Sequence, residues 1–210
     1  MFKTELTEFD ERLWNFTEKW TVVRLIDEMT SVFEFWSPIR TETGRQTCVR
    51  KLCLDWDAAT HSHLGSCPYC KAGLHGRPLY YSNAIIRQLQ AAETGADSDT
   101  SPVRVLKIPP RLRQGLRNLA SVNKRRSKTT GGWKQYSLPH PKYGRDVRIK
   151  INPETPYGYY DLEQCGRTRL TAEELVYPLV PLLIKPESPQ QAKAAWKQLK
   201  EIIVHADLST

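Results

Sequence analysis

The chain has 210 residues, 40% hydrophobic and 26% charged, which is enough apolar material for a folded core and too much for wholesale disorder. No apolar run approaches the ~20 residues of a membrane-crossing helix. The opening MFKTELTEFDERLW lacks the basic-then-apolar layout of a secretory leader, so a cytoplasmic protein away from membranes is expected. The net charge of +8 is uneven: residues 1–102 balance at −3, residues 103–150 hold fourteen Lys and Arg against the single acid Asp146, and residues 151–210 balance at −2. A charge kept for solubility would be spread along the chain. This one is a patch, and it points to a polyanionic partner.

In chain order, Phe9, Leu13 and Phe16 recur at helical spacing and predict a helix within residues 4–19. The β-branched residues 20–26 and the aromatic residues 31–36 read as strands, as do residues 78–86. Residues 91–101 are small and polar, a loop. Residues 103–108 alternate as a strand, and Pro109-Pro110 opens a helix over 111–121 with Leu112, Leu116 and Leu119 on one stripe. Residues 123–142 are basic and irregular, residues 146–151 are a strand, and residues 157–162 are its hairpin partner. Thr171 with Glu174 has the spacing of a capping box. Ser188-Pro189 opens a last amphipathic helix with Ala192, Ala195, Trp196, Leu199, Ile202 and Ile203 on its apolar side. Strands with helical insertions and no βαβ alternation predict a mainly β fold with α additions, a small antiparallel barrel.

Cys67-Pro-Tyr-Cys70 is a CxxC knuckle, with Cys53 and Cys48 upstream and His61 and His63 between. A structural zinc ion takes four N or S donors, usually in short-spaced pairs. Cys53, Cys67 and Cys70 supply three donors, and Cys48 competes with His63 or His61 for the fourth place. A redox pair would need a βαβ setting that the pattern lacks. One structural zinc is therefore the expected cofactor. Cys165 stands alone as a spectator.

In the basic window, Lys107, Arg111, Arg113, Lys124, Arg125, Arg126, Lys128, Lys134, Lys142 and Arg145 are interleaved with Trp133 and Tyr136. Cations neutralise phosphates, and aromatic faces stack on unpaired bases, so the mixture suits single-stranded nucleic acid. Trp36, Tyr80 and Tyr81 are further stacking candidates. There is no GxxxxGK[ST], HExxH or GxSxG, and no catalysis is expected. Asp55-Trp-Asp57, a close carboxylate pair beside the cysteines, is the weak alternative of a nuclease metal site. A zinc-bearing regulator that binds RNA or a polymerase is the stronger alternative.

Taken in order, WTVVRLID, FEFWSP, the cluster ending CPYCKAG, PLYYSNAIIRQL, PVRVLKIP with its helix, and GRDVRIKIN resemble the zinc-containing single-stranded DNA-binding proteins of tailed bacteriophages, over residues 20–162. The resemblance implies an OB-fold core at 20–165 with a zinc-binding insertion at 45–76, preceded by a helical segment at 1–19 and followed by a C-terminal helical extension at 166–210. It also implies a host-cell cytoplasmic protein that coats single strands in replication, recombination or repair, self-associates, and meets replication or recombination proteins. Cys53, Cys67 and Cys70 fall on zinc-ligand positions of the family. Its fourth ligand is often a histidine upstream of the first cysteine, near where Cys48 sits. The acidic tail usual in the family is replaced here by the mixed amphipathic helix.

Overall fold

The computed structural model describes residues 11–40, 46–71, 73–92, 101–154 and 159–182, with residues 188, 190, 193, 194 and 197 beyond them. The chain divides into two compact units, Met1–Thr30 with Tyr80–Leu183 and Ser31–Leu79 with Ile184–Thr210. The fold is mainly β. Among the described residues no helix is long and apolar enough to cross a membrane.

The larger unit is a mixed sheet. Its strands are β1 (Leu13–Trp14), β2 (Thr21–Leu25), the 80–86 part of β7 (Gly76–Ile86), β8 (Val103–Ile108), β11 (Arg145–Asn152) and β12 (Tyr159–Arg167), in the order β1-β8-β7-β2-β11-β12. All neighbours are antiparallel except β1 and β8, which run parallel with Leu13 opposite Val105. Of the described part of the expected 4–19 helix, Glu11 is helical, but Leu13–Trp14 form a strand, because a two-residue edge strand is specified by its partner rather than by its own period. Residues 1–10 of that expectation lie outside the described residues.

Between β7 and β8 runs α2 (Arg87–Ala92), and β8 leads into α3 (Pro110–Val122). Pro110 suits the first turn of α3, where an N–H would lack a partner in any case. Leu112 and Leu116, one turn apart, are fully buried with Val23, Leu25, Ala84, Ile86, Leu106, Ile108, Val147 and Ile149. Truncating either leucine to alanine would cost about 2–5 kcal/mol. Strand β7 is buried on both faces: Ala84 and Ile86 meet this core, while Asn83, pointing the other way, accepts from the Val180 N–H (3.1 Å) and donates to its carbonyl (3.0 Å). The stretch carrying Val180 follows α4 (Ala172–Leu175), whose N-terminus is the anticipated capping box of Thr171 and Glu174. The expected helix over 189–207 falls mostly outside the described residues.

Residues 123–142, read as irregular from sequence, contain a two-stranded antiparallel ribbon, β9 (Lys124–Arg126) and β10 (Trp133–Gln135). Neither strand shows apolar alternation, because neither faces the core.

The smaller unit pairs β3 (Thr30–Arg40) with β4 (Gln46–Leu52), and β3 also with β7. A short hairpin, β5 (Trp56–Asp57) with β6 (Ser62–His63), precedes the one-turn helix α1 (Pro68–Lys71). Its core is Phe35, Cys53, Cys67 and Tyr69, backed by Phe33, Leu54, Trp56, Cys70 and Leu74.

Candidate metal centre and nucleic-acid surface

The smaller unit gathers its polar donors beside aromatic rings, with Cys53 and Asp55 buried, Cys70 half-buried and His63 exposed. Strand β4 ends one residue before Cys53, whose N–H is held by the Phe33 carbonyl at 2.8 Å. The β5–β6 hairpin sets Trp56 opposite His63 and returns the imidazole towards Cys53. The turn of α1, closed by Lys71 N–H on the Cys67 carbonyl, presents Cys70. His63 Nδ1 lies 3.3 Å from both Cys53 Sγ and Cys70 Sγ, which are themselves 3.5 Å apart. Its ring is fixed by Phe33 at 4.4 Å and Trp56 at 4.9 Å.

Asp55 completes the cluster. Its Oδ1 accepts from Cys53 Sγ at 2.9 Å, and its Oδ2 accepts the N–H groups of Ser66 and Cys67, tying the knuckle to the hairpin. The donor atoms of Cys53, Asp55, His63 and Cys70 all lie within 4.8 Å of one another. Donors on a tetrahedral ion with bonds of 2.0–2.3 Å stand about 3.3–3.8 Å apart, so the Cys–His–Cys triangle is the right size for a metal.

Electrostatics suit a cation. Burial, with the adjacent Asp55 carboxylate, pushes the Cys53 thiol up, and burial pushes Cys70 up to about 11. Burial alone would raise Asp55, but the Cys53 thiol and the Cys67 and Ser66 N–H groups hold it down at about 2. Without a cation the two thiols stay protonated, and a bound metal would take the place of those protons.

Of the residues expected to bind metal, Cys53, Cys70 and His63 come together. Cys67 is buried beside them, its N–H spent on Asp55. His61 is exposed in the β5–β6 turn with φ of 53°. Cys48 stands opposite Pro38 in the β3–β4 ladder, and its side chain lies outside the described residues. Sequence reasoning placed Asp55 in a separate carboxylate pair and missed it as a member of the Cys–His cluster, although the spacing Cys53-x-Asp55 puts both on one side of extended backbone. Asp57, its supposed nuclease partner, caps its own turn through Ala59 N–H and the Thr60 hydroxyl.

The basic window belongs to the larger unit. Asn123, buried after α3, anchors the ribbon: its Nδ2 donates to the carbonyls of Tyr136 (3.1 Å) and Tyr143 (3.0 Å), and its Oδ1 accepts from Arg145 Nε (3.0 Å). Arg145 is therefore a brace. The register Trp133 opposite Arg126 and Gln135 opposite Lys124 places these four side chains on one face. All four are exposed, Trp133 to 72%. On the other face Arg125 stacks on Tyr143 (4.8 Å) and Lys134 on Tyr136 (5.6 Å), within a cluster of Tyr136, His140 and Tyr143. Lys142 also approaches the Tyr143 ring, at 5.4 Å. Lys128 is exposed in the connecting loop, where Gly131 takes a φ of +67° that other residues rarely adopt.

The cations divide by partner. Arg148 pairs with Glu163 and Lys150 with Asp161 across the β11–β12 ladder. Among the described residues no carboxylate pairs with Lys124, Arg125, Arg126, Lys128, Lys134 or Lys142. Arg113 lies over the Tyr80 ring (4.0 Å), Arg111 over Tyr159 (4.4 Å), and Lys107 is half-buried on β8. Tyr80 and Tyr81 are both buried, so neither offers a face to a ligand: β7 has no outward side for alternation to use. Trp36 is exposed in the smaller unit beneath Arg77. No protein-family model matches the chain, and no curated protein matches it in sequence.

Proposed function

We propose that this chain is a non-catalytic single-stranded DNA-binding protein of the phage type, acting in replication, recombination or repair. The observation that carries this reading is the free face of the 124–135 ribbon. Lys124, Arg126 and Trp133 project there with no carboxylate partner among the described residues, on a scaffold braced by Asn123. Cations neutralise phosphates, and an open indole stacks on an unpaired base. Tyr136 and Tyr143, ringed by Arg125, Lys134 and Lys142, extend the same chemistry. In a duplex the bases are already stacked, and an exposed tryptophan gains little there.

Two further features support the reading. The order β8-β7-β2-β11-β12, with β1 added in parallel at the β8 edge and α3 following β8 and packing beside β12, is compatible with an OB-type barrel, a fold much used for single strands. The smaller unit, between β2 and β7 in sequence, holds the donor set a structural zinc needs: Cys53, Cys70 and His63 as N and S ligands, with Asp55 beside them. Zinc bound there would cross-link strand, hairpin and knuckle. Aromatic walls on several sides fit a structural ion.

The test is an equilibrium titration of the metal-loaded chain against labelled oligo-dT, the same length of duplex, and a structured RNA. Preference for oligo-dT over both is expected. Equal affinity for duplex and single strand would refute the reading, and preference for the RNA would favour the RNA-binding regulator.

A further inference from the structure

We infer that the metal-bearing unit carries a nucleobase platform of its own, Trp36 with Arg77, so that this unit contacts single-stranded DNA directly; the inference rests on the single-strand reading above. Strand β3 alternates. Phe33 and Phe35 face the cluster, with the Phe33 and Phe35 rings 4.4 and 6.2 Å from that of His63. Trp36 follows on the opposite face and is 39% exposed. Arg77, exposed near the start of β7, holds its guanidinium carbon 4.9 Å from the centre of the Trp36 ring. Among the described residues that guanidinium has no carboxylate partner.

The surroundings select the ligand. In the β3–β4 ladder Trp36 stands opposite Arg50. Of the unit's described acids, Glu34 shares the Trp36 face but is buried, Asp55 is bonded within the cluster, and Asp57 caps its own turn. A protein-docking patch would surround its tryptophan with further apolar side chains, whereas this ring carries the Arg77 guanidinium. An indole for a base beside a guanidinium for the adjoining phosphate is the pairing that one nucleotide of an unpaired strand requires.

The position on β3 also links the platform to the metal. The strand whose inner residues wall the cluster carries Trp36 on its outer face, so an ion bound in the cluster would also hold the platform in place.

The experiment uses the full, metal-loaded chain with Trp36→Ala and Arg77→Ala made separately, titrated against labelled oligo-dT over a range of salt. Metal content is measured for each. Trp36→Ala is expected to weaken binding about 5- to 150-fold, the value of one stacked base. Arg77→Ala should reduce the log–log salt slope by about 0.7, one phosphate contact. Both variants binding like the unaltered chain, while Trp133→Ala binds more weakly, would overturn the inference and leave the single-strand reading intact. An unaltered chain with no preference for oligo-dT would instead bring down that reading and this one together. Should Trp36→Ala lose metal, Arg77→Ala, exposed and outside the cluster, decides alone.

Discussion

Gly144 has no side chain because Arg24 occupies the space: a Cβ there would overlap the Arg24 guanidinium and the Leu138 carbonyl. That guanidinium is fully buried, donates to the carbonyls of Leu138, Arg145 (3.2 Å) and His140 (2.8 Å), and lies 3.8 Å from Asp146. Gly144→Ala should cost about 3 kcal/mol, the upper end of overpacking, read as a lowered thermal midpoint. The same network reaches Glu174 through Arg87. Burial alone would raise Glu174, but Gln90, the Thr171 N–H and Arg87 outweigh it and hold its carboxyl below the ordinary 4.5. A depressed carboxylate contributes stability above its unfolded value and loses it as pH falls through the folded one. Melting the chain against Glu174→Gln should therefore show the wild-type advantage above about pH 4.5 shrinking in more acid solution. A constant difference across that range would count against the network. Thr171 and Glu174 were legible because a capping box is local. Arg24 was not, since an arginine in TVVRL reads as a solvent-facing position until the carbonyls of residues 138–145 surround it.

At the scale of elements, α3 and strands β2, β8 and β11 could be read from the sequence, because each turns one periodic face to a single core. The 124–135 ribbon could not: KRR and WKQ carry no apolar period, and their pairing is fixed from outside by Asn123 and the Tyr136 N–H. Charge counting located the patch, but only the ladder sorts its cations into a free face, a face packed on tyrosines, and the pairs on β11–β12. Because Trp133 touches little, Trp133→Ala should leave the thermal midpoint unchanged while weakening oligo-dT binding by about 1–3 kcal/mol. Asn123→Ala should do both harms, destabilising by about 1–3 kcal/mol through the unpaired carbonyls it leaves and loosening the ribbon. Hydrogen exchange over residues 124–135 would register that loosening.

For the whole molecule, the two units have different sources of order. The larger rests on a leucine, isoleucine and valine core, whereas the cluster around the candidate metal site in the smaller has four buried residues among those described, two of them cysteines. Structural zinc supplies about 10–16 kcal/mol in small domains. Complete chelation should therefore abolish exchange protection across residues 46–79 and leave it intact in residues 103–122 and 145–152; equal protection in both after chelation would show that the cluster holds no structural ion. The sequence marked Cys53, Cys67 and Cys70 as ligands and left His63 as one of three candidates for the last place, whereas the atoms that gather are those of Cys53, Asp55, His63 and Cys70, since CxxC spacing marks a pair but not what folds back onto it. The claim on which the rest depends is that the free ribbon face grips single strands. It is tested most directly by titrating the unaltered chain and a Lys124→Ala, Arg126→Ala, Trp133→Ala variant, at equal metal content, with oligo-dT at several salt concentrations. The account predicts at least about a hundredfold weaker binding and a log–log salt slope smaller by about 1.4, for two lost phosphate contacts. Binding by the triple variant equal to that of the unaltered chain would contradict it.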